Sequence, residues 1–208
     1  MKERLTVVNS SHFQASSMSK SLDYYDKNAK AYHARVHSWD MSALYAAFLK
    51  HFSGQAILDL GCGTGRDARY FSERGFHVIA VDGSKELLAM AQKESPSSDC
   101  RLIDFRNPFS IGTKVDGVWA CASLLHFDDD MFETIVRTVC HDLRDGGIFY
   151  IGLKIREVSE LPDDERQFHY WTLKKLEPAA KRCGLALIEH GVDESPRIAW
   201  LNAYFVKT

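Results

Sequence analysis

A glycine-rich loop is the feature of this sequence best suited to binding a reactive small molecule. Gly61, Gly63 and Gly65 alternate in the run LDLGCGTG at positions 58–65, which includes a short apolar segment. Glycine lets a backbone turn tightly and approach a ligand without a clash from a Cβ atom. A helix that begins after such a loop presents free N–H groups, which can bind an anionic group such as a carboxylate. The loop therefore predicts a ligand site at the end of a strand.

Two carboxylates narrow the class of ligand. Asp59 precedes the loop, where it would repel a pyrophosphate but could pair with an ammonium group. The dinucleotide fingerprint also requires glycine at its sixth position, which is Arg66 in this chain. About 20 residues further along, Asp82 ends a second apolar segment and suits a bidentate contact to ribose hydroxyls. These residues favour a nucleoside that carries an amino acid over a dinucleotide.

Short apolar segments alternate with segments of helical periodicity along most of the chain. We predict two helices between Ser21 and Phe52, and further helices at residues 66–73, 85–93, 130–141 and 172–183. Predicted strands cover residues 56–60, 76–81, 101–103, 117–121, 147–153, 185–189 and 198–206. Ser84 is predicted to cap the helix at 85–93, and Asp130 with Glu133 to cap the helix at 130–141.

The order of these elements predicts an α/β fold. Strands that alternate with helices indicate parallel β-α-β units, because parallel neighbours need a long crossover connection. The last two strands follow each other without a helix, which predicts an antiparallel hairpin at one edge of the sheet. We expect a single domain over residues 21–208, with a helical lid at 21–53 and an α/β core at 54–208. Residues 1–20 are expected to form a flexible tail.

Composition and charge argue against several classes of partner. The chain has 208 residues and a formal net charge of −2, which disfavours a partner bound mainly through its phosphates. No apolar run approaches the roughly 20 residues that a membrane-spanning helix needs. The five cysteines are scattered and include no C-x-x-C pair, so we expect reduced thiols in a cytoplasmic protein. The three acids at 128–130 are interpreted as the start of a helix, and no metal site is predicted.

Four segments together resemble the class I S-adenosylmethionine-dependent methyltransferases, especially small bacterial enzymes that act on small molecules. The run ILDLGCGTG at 57–65 is similar to the first motif of that family, and AVDGS at 80–84 to its second-strand acid. The run DGVWACASLLH at 116–126 resembles the fourth-strand motif. The run LRDGGIFYI at 143–151 resembles the turn into the fifth strand, with Asp145 where proline is usual. The resemblance extends from Tyr24 to the C-terminus.

The resemblance implies a cofactor, a sheet order and a set of ligand residues. The sheet would be doubly wound and Rossmann-like, with seven strands in the order 3-2-1-4-5-7-6, strand seven antiparallel and helices on both faces. The cofactor would be S-adenosyl-L-methionine. The residues implied for its methionine part are Asp59, Gly61, Cys62, Gly63, Thr64 and Gly65. Those implied for the rest are Asp82, Gly83 and Ser84 at the ribose, Asp104 and Phe105 at the adenine, Trp119, Ala120 and Cys121 near the sulfonium, and Tyr32 and Arg35 on the lid.

His126 is the candidate general base, because it follows the predicted fourth strand at the crevice end of the sheet. A base is needed where the acceptor is a hydroxyl or a protonated amine, and it then contributes about 10²–10⁴-fold. The alternative for His126 is a structural role at the next helix. Tyr24, Tyr25, Tyr32 and Trp119 are candidates for holding the sulfonium cation over a ring, an attraction of about 0.5–2 kcal/mol. The alternative for these rings is ordinary core packing.

The expected acceptor is a small molecule that takes the methyl group by in-line displacement, in a protein that is a monomer or a homodimer. Acceptor specificity is predicted to come from the loop at 155–167, the aromatic cluster at 168–171 and Trp200. Three alternatives stay open. They are a methyltransferase that acts on protein or nucleic acid, an NAD(P)-dependent enzyme, and a cofactor-binding protein without catalysis. No basic stripe supports the first, and Arg66 with Asp59 disfavours the second.

Overall fold

The structure is a computed structural model that describes residues 10–157, 166–195 and 197–208. The helices are α1 (Ser10–Val36), α2 (Ser42–His51), α3 (Arg66–Ser72), α4 (Lys85–Glu94), α5 (Asp129–Asp142) and α6 (Leu173–Arg182). The strands are β1 (Ala56–Leu60), β2 (His77–Asp82), β3 (Asp99–Leu102), β4 (Val115–Cys121), β5 (Leu143–Glu157), β6 (Leu185–Glu194) and β7 (Ile198–Lys207). A short 3-10 helix, Leu124–His126, follows β4.

The strands form one seven-stranded sheet in the order β3-β2-β1-β4-β5-β7-β6. Strands β1 to β5 are parallel to one another, and β7 is antiparallel to both β5 and β6. This topology confirms the predicted α/β class, the strand order and the antiparallel seventh strand. It also brings the carboxyl ends of β1, β2 and β4 to one edge, where ligands of open α/β sheets bind.

The sheet lies between two apolar layers, because alternate residues of each strand point to opposite faces. In β4, Val118 and Ala120 face a core that includes Phe132 of α5 and Leu176 of α6. Trp119 faces the other core, which includes residues of α2, α3 and α4. All three β4 side chains are fully buried. The alternation in β4 therefore decides which side chains can reach a ligand at the strand end.

The local sequence predicts the N-terminal cap of α4 correctly and that of α5 incorrectly. Ser84 caps α4 as predicted, since its side chain accepts a hydrogen bond from the Leu87 N–H. Helix α5 is capped by Asp128, which accepts from the Met131 N–H, and not by the predicted Asp130. Each of three consecutive acids offers the same capping group, so residue type alone does not select the one with extended backbone.

Glu133 was predicted to complete the cap of α5. Its carboxylate instead binds the guanidinium of Arg182 at the end of α6. Arg182 offers this carboxylate a bidentate, charge-assisted contact, whereas a backbone N–H offers a single donor, so the tertiary contact prevails.

Helix α1 begins at Ser10, earlier than the Ser21 expected from the sequence. The expected tail at 1–20 therefore contains helical residues from Ser10 onward, and residues 1–9 lie outside the described residues. The segment from Ser10 to Lys20 contains neither Gly nor Pro, so nothing in it interrupts a helix that continues from the following turns. The two predicted N-terminal helices are present as α1 and α2.

Among the described residues, no helix combines the length and the apolarity needed to cross a bilayer. The same part of the chain contains no group of three His, Cys, Asp or Glu side chains arranged to hold a metal ion.

Candidate active site

The glycine loop turns at the carboxyl end of β1 with its backbone in a left-handed conformation. The φ angles of Gly61 and Gly63 are 79° and 56°, a region that residues with a Cβ rarely adopt. A Cβ on Gly61 would lie 2.3 Å from the Cβ of Ser123. The loop therefore lies directly beside the chain that leaves β4, and this approach requires glycine.

Asp82 ends β2 and fixes the glycine loop from the side. Its Oδ2 accepts the Gly63 N–H over 2.8 Å, and its Oδ1 accepts the Ser84 N–H over 2.8 Å. Burial raises the pKa of Asp82 to about 6, although the hydrogen bonds from these two amides lower it. A carboxylate has about four lone-pair sites, so the ionised group can accept further donors from a ligand.

A cavity lies over the ends of β1, β2 and β4. We call it the first cavity. Ten of the residues proposed from the sequence line it: Tyr25, Tyr32, Gly61, Gly63, Asp82, Gly83, Asp104, Phe105, Cys121 and His126. The structure therefore brings together residues that lie far apart in the chain.

Helix α1 forms one wall of the first cavity. Leu22, Tyr25 and Tyr32 line it at spacings that place them near one face of the helix. The rings of Tyr25 and Tyr32 meet edge to face, with their centroids 5.1 Å apart. Tyr25 was proposed from the sequence only as a cation-binding ring, and its position in the wall is compatible with that role.

Polar contacts bind α1 to the loops that follow β1 and β2. The Ser84 hydroxyl donates to Asp26 Oδ1 over 2.6 Å. Nearer the end of the helix, His33 Nδ1 lies 3.0 Å from Thr64 Oγ1. Ser84 and Thr64 are both buried and do not line the first cavity, so their side chains position the helix.

His126 lines the first cavity from the 3-10 helix. Its Nδ1 lies 2.8 Å from the Gln167 carbonyl oxygen, and its Nε2 lies 3.0 Å from the Tyr25 hydroxyl. A carbonyl oxygen only accepts, so Nδ1 carries the proton in the neutral ring and Nε2 accepts from Tyr25. Burial raises the pKa of Tyr25, which keeps its hydroxyl protonated as the donor.

Asp104 lines the first cavity with its carboxylate already bonded. Its Oδ1 accepts the Arg106 Nε–H over 2.8 Å, and its Oδ2 accepts the Arg106 Nη2–H over 2.6 Å and the Asn107 side-chain N–H over 3.1 Å. Hydrogen bonds from Arg106 keep the pKa of Asp104 below its usual value. A ligand amino group at Asp104 would therefore share or displace one of these partners.

Trp119 and Ala120 do not line the first cavity, which corrects the expectation that they lie near a ligand. Ala120 faces the opposite layer of the sheet, and Trp119 lies deeper in β4 than Cys121 on the same face. The Trp119 Nε1–H donates to Asp67 Oδ2 over 2.9 Å, and its ring stacks on Tyr150 with centroids 4.0 Å apart. Of the three predicted residues, Cys121 alone reaches the cavity.

Asp59 lies beneath the glycine loop rather than in the cavity. The residue is 1% exposed, and its Oδ2 has no hydrogen-bond partner within the described residues. Burial, reinforced by the negative charge of Asp67, raises the pKa of Asp59 well above its usual value. Asp59 does not line the first cavity, so its expected pairing with a ligand ammonium stays a prediction.

Three further residues proposed from the sequence lie outside the first cavity. Cys62 is buried in the core against α2 and α3. Gly65 caps α3 in a left-handed conformation, and a Cβ there would lie 2.8 Å from the Ala91 Cα. The Arg35 guanidinium lies over the Tyr32 ring at 5.5 Å. These residues shape the loop and the helix without facing the cavity.

A second cavity adjoins the first. The two cavities share Tyr32, Cys121 and Ala122 in their walls. The remaining walls of the second come from the α1–α2 region, α3 and strands β5 to β7: Val36, Trp39, Asp40, Met41, Ala43, Leu44, Arg66, Tyr150, Gly152, Asp193, Trp200 and Asn202.

The shared wall contains a strained residue. Ala122 has a φ of 57°, and its N–H donates to the Gly152 carbonyl over 3.0 Å. A non-glycine residue in this region costs about 1–3 kcal/mol, and such strain concentrates at ligand sites. Cys121 lies beside it, and burial raises the pKa of its thiol to about 12. The thiol is therefore protonated at neutral pH and is a poor nucleophile.

The structure places the segments predicted to set acceptor specificity in different environments. Trp200 lines the second cavity. Trp171 is buried against Phe132, with ring centroids 4.3 Å apart, and belongs to the core. Phe168 packs on His126, with ring centroids 5.2 Å apart. Most of the loop at 155–167 lies outside the described residues.

Sequence reasoning missed part of the first cavity: Ser21, Leu22, Leu87, Ala122, Ser123 and Phe127. Ser123 Oγ is buried without a hydrogen-bond partner among the described residues, which makes it available to a ligand. A serine just after the predicted fourth strand was a signal that could have identified it. Ser21 and Leu22 offer no local signal, because their positions depend on how α1 packs.

Comparison with known proteins finds a family model that matches the central part of the chain. Residues 57–147, less than half of the chain, match the family model described as "Methyltransferase domain". The putative methyltransferase YqeM of Bacillus subtilis (strain 168) is 32% identical over 127 residues, which are 55% of this chain and 51% of that protein. The cypemycin N-terminal methyltransferase of Streptomyces sp is 30% identical over 102 residues, or 47% and 41% of the two chains. The chain thus spans about half, or less, of these curated relatives.

Solved structures match nearly the whole chain. The 1,6-didemethyltoxoflavin-N1-methyltransferase of Burkholderia thailandensis, solved with 1,6-didemethyltoxoflavin and S-adenosylhomocysteine, has a TM-score of 0.73 at 21% identity. That match covers 99% of this chain and 93% of the other. Magnesium protoporphyrin IX methyltransferase of Synechocystis PCC 6803 has a TM-score of 0.76 at 12% identity, over 92% and 100% of the two chains. At these identities the likeness concerns the fold.

The strand order and the glycine loop beside Asp82 accord with the domain model that residues 57–147 match.

Proposed function

We propose that this chain is an S-adenosylmethionine-dependent methyltransferase that modifies a small molecule. The observation that carries the proposal is the pair of adjoining cavities. The first contains the glycine loop and Asp82, and the second opens from it at Cys121 and Ala122. A two-substrate transfer needs such an arrangement, because donor and acceptor must meet at one point while each is held separately.

The first cavity suits the adenosyl cofactor. Asp82 would accept the ribose hydroxyls, and the buried Ser123 Oγ offers a further polar group. Leu87 and Phe105 supply apolar wall for the adenine, with Asp104 at its edge. When bound, the cofactor supplies a methyl group on a positively charged sulfur. The chain's own task is then to orient the acceptor and to exclude water from the junction.

Tyr25 and His126 are proposed to act as a pair. The Tyr25 hydroxyl occupies His126 Nε2, so the imidazole acts on the cavity through the tyrosine. Tyr25 and Tyr32 also line the first cavity with aromatic rings, and a cation over such a ring gains about 0.5–2 kcal/mol. The protonated thiol of Cys121 favours direct transfer to the acceptor over a route through a methylated cysteine.

Calorimetric titration of the full chain with S-adenosylmethionine, S-adenosylhomocysteine, NAD and NADP tests the cofactor. We expect micromolar binding of the two adenosyl ligands, weakened at least tenfold, about 1.4 kcal/mol, in Asp82→Ala. Asp99→Ala removes an exposed carboxylate of β3 that lies outside both cavities, and it is expected to leave the affinities unchanged. Binding of NAD or NADP alone would overturn the proposal.

A second experiment separates an enzyme from a cofactor-binding protein. S-adenosylmethionine with a labelled methyl group is incubated with the protein and a small-molecule extract, and then with a protein and RNA extract. Label is expected in the small-molecule fraction and absent when Asp82→Ala replaces the parent chain. Label found only in protein or RNA would contradict the proposed acceptor class, and binding without any transfer would indicate a protein without catalysis.

A further inference from the structure

The second cavity contains a directed chain of hydrogen bonds that ends on a carboxylate. The Tyr150 hydroxyl donates to Asn202 Oδ1 over 2.7 Å, and Asn202 Nδ2 donates to Asp193 Oδ2 over 2.8 Å. Tyr150 and Asn202 are 1% and 5% exposed, whereas Asp193 is exposed. Asp193 is held in place by buried groups, and one hydrogen bond leaves most of its lone-pair sites able to accept.

Two of the three charged side chains in the wall of the second cavity are acids. Asp193 and Asp40 lie in its wall, on the β6–β7 hairpin and on the connection between α1 and α2. Arg66 also lines it, but its Nε and Nη2 bind the Asp67 carboxylate over 2.6 and 3.0 Å, which balances its charge. An anionic acceptor would be repelled by this wall, and a cationic one would be attracted.

The rest of the second cavity is largely aromatic and apolar. Trp39 and Trp200 contribute large flat side chains, and Trp39 remains 48% exposed. Met41 and Leu44 add further apolar wall. A cavity with apolar walls and a few fixed polar groups selects ligands by shape and by the polar groups it can pair.

We infer that the acceptor is an amine: a molecule with a flat, apolar body and a basic nitrogen whose ammonium group pairs with Asp193. The inference rests on the proposed function, which makes the molecule in the second cavity a methyl acceptor. The carboxylate accepts N–H donors and attracts their charge, Asn202 fixes its orientation, and the tryptophans cover the flat body.

Three indole compounds with the same ring test this inference: tryptamine (amine), tryptophol (hydroxyl) and indole-3-propionate (carboxylate). Each is titrated calorimetrically into the full chain loaded with S-adenosylhomocysteine. Tryptamine is expected to bind at least tenfold more tightly than indole-3-propionate. Asp193→Asn should lower the affinity for tryptamine about tenfold and leave that for tryptophol within about twofold, because hydrogen bonds to charged groups are the stronger ones.

Glu194→Gln is the matched control, since Glu194 is the next, exposed acid of β6 and does not line the second cavity. It should leave all three affinities unchanged. The inference fails if tryptamine does not bind, if the three compounds bind alike, or if Glu194→Gln acts as strongly as Asp193→Asn. The titration with S-adenosylhomocysteine itself separates the two proposals. If S-adenosylhomocysteine does not bind, the proposed function is overturned. If it binds normally but tryptamine is not preferred, only this inference is overturned.

Discussion

At the scale of single residues, Asp82 combines two tasks that depend on its charge. It holds the Gly63 amide, and it is the acceptor proposed for ribose hydroxyls. Burial raises its pKa to about 6, so protonation competes with ligand binding just below neutrality. We expect S-adenosylhomocysteine to bind with full affinity above about pH 7 and to lose about tenfold per pH unit below pH 6. Dissociation constants measured by calorimetry across this range check the expectation.

Asp26 supplies an internal control on that titration. Its negative charge contributes to the raised pKa of Asp82, so Asp26→Asn should move the midpoint of the affinity profile to lower pH. Asp23→Asn removes an exposed carboxylate from the same helix and should leave the midpoint in place. In Asp82→Asn the affinity should be lower and independent of pH. A profile that persists in Asp82→Asn would assign the titration to another group.

Tyr25 and His126 should behave as one unit. A neutral hydrogen bond contributes about 0.5–1.5 kcal/mol, so Tyr25→Phe and His126→Leu are each expected to weaken S-adenosylhomocysteine binding by about fivefold. Both single changes break the same bond, and the double variant should therefore bind no more weakly than about the worse single one. Tyr24→Phe is the control, because Tyr24 does not line the first cavity. Additive effects in the double-mutant cycle would argue against a coupled pair.

At the scale of the elements, the turn that leaves β4 stores strain where the two cavities meet. Ala122 has a φ of 57°, so Ala122→Gly relieves about 1–2 kcal/mol of steric cost and loses about 0.5–1 kcal/mol through the more flexible unfolded chain. The variant should be as stable as the parent or slightly more stable in urea unfolding. Ala186→Gly in β6 should cost about 0.5–1 kcal/mol. Equal losses in the two variants would contradict strain at Ala122.

Ala122→Val tests the same turn in the opposite direction. A β-branched residue in the left-handed region is a severe outlier, so we expect a loss of stability of about 1–3 kcal/mol. The added methyl groups would also lie in the wall that the cavities share. Urea unfolding measures the first effect.

How much of the site was predictable from sequence depends on the elements involved. The glycine loop and Asp82 were predicted because a strand, a turn and a following strand end form one local unit. Trp119 was misplaced because a motif gives the position of a residue along a strand but not its depth below the strand end. The position of Asp59 beneath the loop could not be predicted, because its burial is a tertiary property.

At the scale of the whole molecule, the second cavity could not be predicted from the sequence. Its polar floor joins Tyr150 on β5 to Asn202 on β7 and Asp193 on β6, through the antiparallel register in which Asn202 pairs with Gly152 and Gly191. The sequence predicted that β6 and β7 form a hairpin but not the register of their pairing. A shift of one residue would turn these side chains to the other face. The fold class could be predicted from the alternation of strands and helices alone. Predicting the wall of the second cavity would have required the register of β5, β6 and β7.

The molecule should also show a gradient of stability between its sheet and α1. Few side chains of α1 are buried among residues 20–36, namely Ser21, Ala29 and Val36, whereas β4 is almost wholly buried. Segments with few buried contacts open at lower free energy than the core. In the protein without ligand, amide hydrogens of residues 20–36 should therefore exchange faster than those of β4.

Ligand binding should reduce that gradient, because α1 supplies Tyr25 and Tyr32 to the first cavity. A ligand at 100 times its dissociation constant adds up to about 2.7 kcal/mol to the opening free energy of the segments that must be closed for binding. With S-adenosylhomocysteine at that excess, exchange in residues 20–36 should slow by up to about 100-fold, as followed by mass spectrometry of peptic fragments. Residues 185–194 of β6 provide the reference, since they lie outside the first cavity. Equal protection of α1 with and without the ligand would mean that the helix is a fixed wall, and access to the cofactor would then have to be through the second cavity.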